Sequence, residues 1–347
     1  MLPLLKPSCT QAEIDAVTNV LKSGWWGTGK VVEQFEQTLA ARYGYRYCVA
    51  TNSATAALHL SAKLLHVGPG DEVIVPALTF VSTGFAPLYE GGTPVLADID
   101  PETLCIDWGH VERLITKRTK AIIPVDYAGY PATPPKDYGI PIIQDAAHSC
   151  GGTGYGDIVT LSFHPVKNLA TGDGGALLTN SEEFYHRARA LRWCGIDRST
   201  YERSISTYGW DYNISEVGYK YHWNDIQAAI GLEQLKRIDE LNRRRREIAD
   251  IYRAKLNCVQ HPPDHPQHTW HLYPVRVPHY QRNLFVRAML DAGISVGVHY
   301  KPLTHYPMFS GDVPVTESEW RRLASLPIFY DLDQQDVIIE RIQEYWK

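Results

Sequence analysis

No apolar run in this sequence approaches the length of a membrane-spanning helix, which excludes a protein built on helical spans. The first ten residues, MLPLLKPSCT, hold Lys6 and two prolines where a secretory signal needs an unbroken apolar core, so export is not expected. Cysteine is sparse and scattered, at 9, 48, 105, 150, 194 and 258, with no CxxC pair. That spacing argues against a disulfide framework and against a cysteine-based metal site, and reduced thiols suit a soluble protein of the cytoplasm. Charge of one sign is also missing. A formal net charge of -5 gives no reason to expect nucleic acid or an anionic membrane as partner. What remains is a chain of 347 residues, 44% hydrophobic and 21% charged, with the composition of an ordinary globular protein. That length carries an expectation of about two domains and a sizeable core.

The chemistry is concentrated between Asp145 and Gly175, in DAAHSCGGTGYGDIVTLSFHPVKNLATGDGG. Ile140 to Gln144 reads as a buried strand that ends on a carboxylate, Asp145. After a glycine-rich turn, Ile158 to Phe163 reads as a second strand, followed by Lys167 and a loop with Gly172, Gly174 and Gly175. Taken singly, a buried Asp is usually a structural residue and a Lys is usually solvated. At the ends of neighbouring strands they suggest more. A lysine amine can form a Schiff base with pyridoxal phosphate, and a carboxylate can keep the pyridine nitrogen protonated so that the ring draws off electrons.

Thr10 followed by Glu13 is a capping box, and Ile14, Val17 and Leu21 follow it at helical spacing, which predicts a helix over 10–22. Ser23 to Gly29, with Trp25 and Trp26, breaks it, and a second amphipathic helix runs from Val31 to Arg42. Cys48 to Asn52 is a short strand running into Ser53-Ala54-Thr55, a helix start with Ser53 as N-cap. Such a start presents free backbone N–H groups and the positive end of a helix dipole, the makings of a phosphate cradle. Further strands are read at 72–76, 93–98, 121–126 and 174–180, most of them separated by helical stretches. Seven strand candidates up to Asn180 predict a mostly parallel α/β sheet with ligands at the strands' carboxyl ends. A helix is expected over 182–193, an irregular excursion over 200–213, and a long helix starting within 218–230. The Arg243–Arg246 run reads as a solvated helix face. From about 241, clustered proline and histidine and short strands beside a helix (282–292) suggest a small α+β domain. Seven histidines from 261 to 305 raise a metal hypothesis, but none pairs in metal-ligand spacing with a Cys or a carboxylate cluster, so no metal is expected.

Asp145-Ala-Ala-His148, Ser162-Phe-His-Pro-Val-Lys167-Asn and Thr171-Gly-Asp-Gly-Gly175 together closely resemble the DegT/DnrJ/EryC1/StrS aminotransferases. The resemblance implies a pyridoxal 5'-phosphate enzyme of fold type I, with a large cofactor domain over 1–240 and a small α+β domain over 241–347. It implies ping-pong transamination from an amino acid, by family habit glutamate, to a keto group of a nucleotide-linked sugar. Lys167 and Asp145 become the catalytic residues. Ala54, Thr55, Ser53 and Ser162 are implied at the cofactor phosphate, Phe80 on the pyridine ring, and His148 at the ring oxygen or at Asp145. The SGWWGTG stretch implies Trp26 near the substrate entrance, and Gly297-Val-His-Tyr-Lys-Pro302 implies His299 and Tyr300 near the substrate. Gly218 to Ala229 matches a segment that in the family lies at a dimer interface and reaches the neighbouring subunit's phosphate. His222 holds a position there where relatives commonly have Asn or Arg. A homodimer with shared sites is therefore expected. The stretch over 131–139 and the one after His148 look shorter than in many relatives, which bears on the substrate mouth. A sugar dehydratase of the same family would carry histidine in place of Lys167, and a non-catalytic binding protein would have lost Lys167 or Asp145.

Overall fold

The structure, a computed structural model, describes residues 1–198, 200–278 and 281–346. Helix α1 (Gln11–Ser23) opens on the capping box: Thr10 Oγ1 accepts the Ala12 N–H at 3.3 Å, and the Glu13 carboxylate accepts the Thr10 N–H at 2.8 Å. It stops where Gly24 takes a left-handed φ of 74°. Its buried face differs from the expected one. Glu13 and Val20 are buried, whereas Ile14 and Leu21 are exposed. The reason is a long-range pairing: Glu13 accepts from Gln234 Nε2 at 2.6 Å and Arg237 Nη1 at 3.2 Å, and this turns the apolar stripe outward.

Helix α2 (Lys30–Tyr43) has glycine at its N-cap and borrows its cap from far away. The Asp225 carboxylate accepts the N–H groups of Gly29 at 2.9 Å, Val31 at 3.3 Å and Val32 at 3.0 Å. Val32, Phe35 and Leu39 then face the main core.

Seven strands among the described residues form the sheet: β1 (Tyr47–Thr51), β2 (Glu72–Pro76), β3 (Thr93–Ala97), β4 (Thr119–Ile122), β5 (Ile143–Asp145), β6 (Ile158–Ser162) and β7 (Gly175–Thr179). They do not make one seven-stranded ladder. Four are ordered β1-β7-β6-β5 and three are ordered β3-β2-β4, with isolated parallel bridges Ile122–Ile142 and Val125–Asp145 between the two groups. Proline explains the gap. Pro124 and Pro141 have no N–H to donate, so the seam retains bonds such as Ile122 N–H to Pro141 O (3.0 Å) and Asp145 N–H to Pro124 O (2.9 Å). Helices α3 (Ala54–Leu64), α4 (Val81–Tyr89) and α5 (Trp108–Leu114) fall between successive strands, and α6 (Glu182–Leu191) follows β7.

Direction decides what meets at the strand ends. β7 is antiparallel to both β6 and β1, so β1 and β6 run the same way, and β5 runs parallel to β6. Thr51 and Ser162 both pair with Gly175. The end of β1, the start of α3 and the end of β6 therefore share one edge with Asp145.

The expected irregular excursion holds a short helix α7 (Thr200–Ser204). The long helix α8 (Asp225–Lys255) begins only at Asp225, capped by Asn224, whose side chain accepts the Gln227 N–H at 2.9 Å. Ala228, Leu235 and Ile238 pack in the main core with Phe35 and Trp223, and Ile248, Ala249 and Tyr252 pack in a second core. Position 240 thus lies inside one continuous helix. The second core is closed by the antiparallel pair β8 (Tyr273–Arg276) and β9 (Leu323–Leu326), with α9 (Arg282–Asp291), α10 (Pro314–Trp320) and α11 (Gln335–Tyr345) in the same part of the chain. The Arg243–Arg246 run is not a uniformly solvated face, because Arg245 is buried. No helix among the described residues is long and apolar enough to cross a membrane.

Candidate active site

A cavity of about 390 Å³ opens at the shared strand edge. Its wall includes Ser53, Ala54, Thr55, Phe80, Asp145, His148, Ser162, Lys167, His299 and Tyr300, residues dispersed over most of the sequence.

Asp145 lies buried at the end of β5. Thr83 Oγ1 donates to its Oδ2 at 2.8 Å, the Ala147 N–H donates to Oδ1 at 3.2 Å, and Thr79 Oγ1 lies 2.8 Å from Thr83 Oγ1. Burial pushes the carboxyl above its usual range, against the pull of those donors and of Lys167. Lys167 sits in the loop after β6, where its N–H donates to His164 O at 2.9 Å. Burial draws its ammonium down to about 8, with the Asp145 carboxylate opposing. An amine tuned there has a substantial neutral fraction close to neutral pH, far more than an ordinary lysine, and so can act as nucleophile and base.

The start of α3 supplies a different kind of group. Ser53 Oγ accepts the Ala56 N–H at 3.1 Å and Ser53 O accepts the Ala57 N–H at 3.2 Å. The first-turn N–H groups of Ala54 and Thr55 have no hydrogen-bond partner among the described residues and face outward for an anion at the positive end of the helix dipole. Gly175 is needed here, because a Cβ on it would lie 2.4 Å from Ala54 N. The hydroxyl of Thr55 pairs with Ser82 Oγ at 2.7 Å.

His148 is held as a neutral imidazole, its pKa driven well below the usual range by burial first and Lys167 second. Its Nδ1 accepts the Ala128 N–H at 3.2 Å, so its proton sits on Nε2, which lies 2.9 Å from Tyr300 Oη. Neither ring nitrogen bonds Asp145. His299 Nδ1 lies 2.9 Å from Ser325 Oγ, and burial, aided by Lys167, lowers this histidine to about 4. Phe80 lines the cavity, with more than half its surface exposed and its ring centroid 5.7 Å from that of Tyr300.

Two expected site residues lie elsewhere on this chain. Trp26 is exposed and donates Nε1–H to Leu21 O at 3.2 Å. His222 lines a separate cavity of about 420 Å³ with Arg187, Arg192 and Trp193. Its ring centroid is 4.2 Å from that of Trp193, and burial, with Lys220 and Arg192, lowers its pKa to about 4. In the other direction, sequence reading missed Thr79, Thr83 and His271, all on the cavity wall. His271 was visible only as one of a histidine cluster; its Nε2 lies 3.4 Å from Lys167 Nζ.

The residues fit pyridoxal phosphate. One cavity offers an amine of lowered pKa, a buried carboxylate, an aromatic face, and two free N–H groups at a helix start on which glycine closely packs.

Residues 7–343 match the family described as the DegT/DnrJ/EryC1/StrS aminotransferase family. The chain is 36% identical over 380 residues to the spore coat polysaccharide biosynthesis protein SpsC of Bacillus subtilis, a match that spans 100% of this chain and 97% of that protein. Among solved structures it is similar to Spr1654 from Streptococcus pneumoniae in its PMP form, with a TM-score of 0.92, 31% identity and coverage of 99% and 98% of the two chains. The PLP form of the same protein superposes with a TM-score of 0.90. The sugar aminotransferase CalS13 from Micromonospora echinospora is similar over 100% of both chains, with a TM-score of 0.88 and 30% identity.

Proposed function

Because the chain belongs to the DegT/DnrJ/EryC1/StrS aminotransferase family, and is a pyridoxal-phosphate-dependent aminotransferase of fold type I, we propose that it transfers an amino group from an amino acid, by family habit glutamate, to a keto group of a nucleotide-linked sugar. The observation that carries this reading is the placing of half-buried Lys167 and buried Asp145 in one cavity with the open start of α3.

When bound, pyridoxal phosphate supplies an electron sink conjugated to the carbon at which the amino group is exchanged. Lys167 would hold the cofactor covalently through Nζ and, when free, would serve as the base and acid that moves a proton at Nζ. Asp145, steadied by Thr83 and Ala147, keeps the pyridine nitrogen protonated through a charge-assisted hydrogen bond. The Ala54 and Thr55 N–H groups and the Ser162 hydroxyl hold the phosphate, while the Ser53 hydroxyl is engaged in capping α3. Phe80 covers one face of the ring. His148 presents Nε2–H to the ring oxygen, its tautomer fixed by the Ala128 N–H. His299 and Tyr300 flank the substrate, and Trp26 lies toward its entrance.

The active form is a homodimer of the cytoplasm in which His222 of each chain serves the other's phosphate. Each chain divides into a large cofactor domain and a small domain, with α8 shared between them. Lys167 favours transamination over the dehydratase chemistry in which histidine takes its place.

Reduction with borohydride tests the reading. The cofactor should be fixed to the peptide that contains Lys167, and Lys167→Ala should abolish the label. The unreduced enzyme should convert glutamate to 2-oxoglutarate and then aminate a nucleotide-linked keto sugar. Label on another lysine, or no amination of any such sugar, overturns the assignment.

A further inference from the structure

His271 is a buried histidine that the chemistry above leaves without a task. Its Nε2 lies 3.4 Å from Lys167 Nζ, and its ring centroid is 4.5 Å from that of His148. Its other nitrogen, Nδ1, is buried and has no hydrogen-bond partner among the described residues. A buried polar atom left unpaired costs stability, and the exceptions are found where chemistry needs the group. The backbone that carries His271 is pinned from behind. The buried Arg245 guanidinium donates to the carbonyls of Trp270 at 3.4 Å, His271 at 3.3 Å and Ile328 at 2.8 Å.

The charged and titratable groups that face the ring are Lys167, His148, Arg245 and His299, with Asp145 beyond Lys167. None of those facing it directly is an acid, and burial adds to their effect, so the imidazole stays neutral. A neutral imidazole carries one N–H. With that proton on Nε2, the ring would meet the lysine amine at its lone pair and block it. With the proton on Nδ1, Nε2 accepts an amine N–H and leaves the lone pair free.

We propose that His271 is the resting acceptor for the free amine of Lys167: whenever the lysine is not joined to the cofactor, Nε2 accepts one of its N–H groups and sets where the amine waits. This rests on Lys167 being the residue that carries the cofactor. An acceptor favours the ammonium over the amine, so His271 also holds the lysine's pKa up against the effect of burial. Its removal lowers that pKa further and leaves the amine unplaced.

The test uses enzyme loaded with pyridoxamine phosphate, in which Lys167 is free. Trace acetylation across a pH series, read at the Lys167 peptide by mass spectrometry, gives the titration of that amine. The wild-type titration sets the reference. His271→Phe, which has no acceptor, should titrate about one pH unit lower. His271→Gln, whose amide oxygen can reach the place of Nε2, should return most of the way. His271→Leu serves in place of the Phe variant if that variant fails to load cofactor. An apolar variant that titrates at or above wild type, or a Gln variant indistinguishable from the apolar one, overturns the proposal. Borohydride fixation on the same variants keeps the two readings apart. Label on Lys167 with an unmoved titration sinks the role of His271 alone, whereas label on another lysine sinks the assignment beneath it.

Discussion

Asp145 and Lys167 each push the other toward its charged form while burial pushes both toward neutrality. Asp145→Asn should therefore have two separable effects. Without the carboxylate, the lysine pKa should fall below about 8, because the negative charge that raises it is gone. Cofactor-free Asp145→Asn should then take up pyridoxal phosphate with a pH midpoint lower than wild type, since the neutral amine attacks and is populated above its pKa. The half-reaction with glutamate should lose on the order of a hundredfold or more, the usual cost of removing a charge-assisted hydrogen bond where charge develops. Near-normal turnover would show that another acid serves the ring nitrogen. Thr83→Val probes the support of Asp145. It removes the 2.8 Å hydrogen bond to Oδ2 but keeps the shape, and should slow the same half-reaction by about tenfold. An unchanged rate would leave Thr83 with packing only. Neither Thr83 nor His271 could be read from the sequence. They stand 62 residues before and 104 residues after the partners they touch, and no local spacing encodes such a meeting. Asp145 and Lys167 were legible because each ends or follows a strand in a motif short enough to see.

The start of α3 makes its own prediction. Its Ser53 hydroxyl is spent on the Ala56 N–H, so Ser53→Ala should cost about 1 kcal/mol of stability and little cofactor affinity beyond that. Gly175→Ala acts on the same turn from the neighbouring strand. A Cβ there would stand 2.4 Å from Ala54 N and would have to displace backbone on which the phosphate is held. The change should cost about 1–3 kcal/mol and weaken cofactor binding much more than Ser53→Ala does. Thermal melting with and without pyridoxal phosphate measures both. Equal loss of affinity in the two variants would return Ser53 to the phosphate and remove the distinction drawn here. The strand and helix start were readable because β1, the cap and the small residues are contiguous. The outward turn of α1 was not, because Glu13 finds Gln234 across 221 residues. The break in the sheet was written in the sequence, as Pro124 and Pro141, but it takes the neighbouring strand to show that the two face one seam.

Among the described residues, exposed large apolar side chains include a group between 205 and 217: Ile205, Trp210 and Val217 are exposed by 71%, 76% and 85%. His222 follows a few residues later, just before the cap of α8 and outside its own chain's cofactor cavity. Exposed patches of this kind mark contact surfaces, and an isologous dimer would bury them twice over while each chain lends His222 to the other. The proposal of shared sites predicts complementation. Lys167→Ala removes the covalent anchor, and His222→Asp places a like charge near the phosphate and removes the lent group. Each homodimer should be inactive. After random reassortment about half of the dimers are mixed, and each mixed dimer holds one site with both lesions and one with neither. Activity should then approach about a quarter of wild type. Exchange itself is checked by recovering mixed dimers through a tag on one variant, and folding by the melting of each variant alone. Mixed dimers that form, fold and bind cofactor yet show no activity would mean that each chain completes its own site, and that His222 serves only the cavity it shares with Arg192 and Trp193.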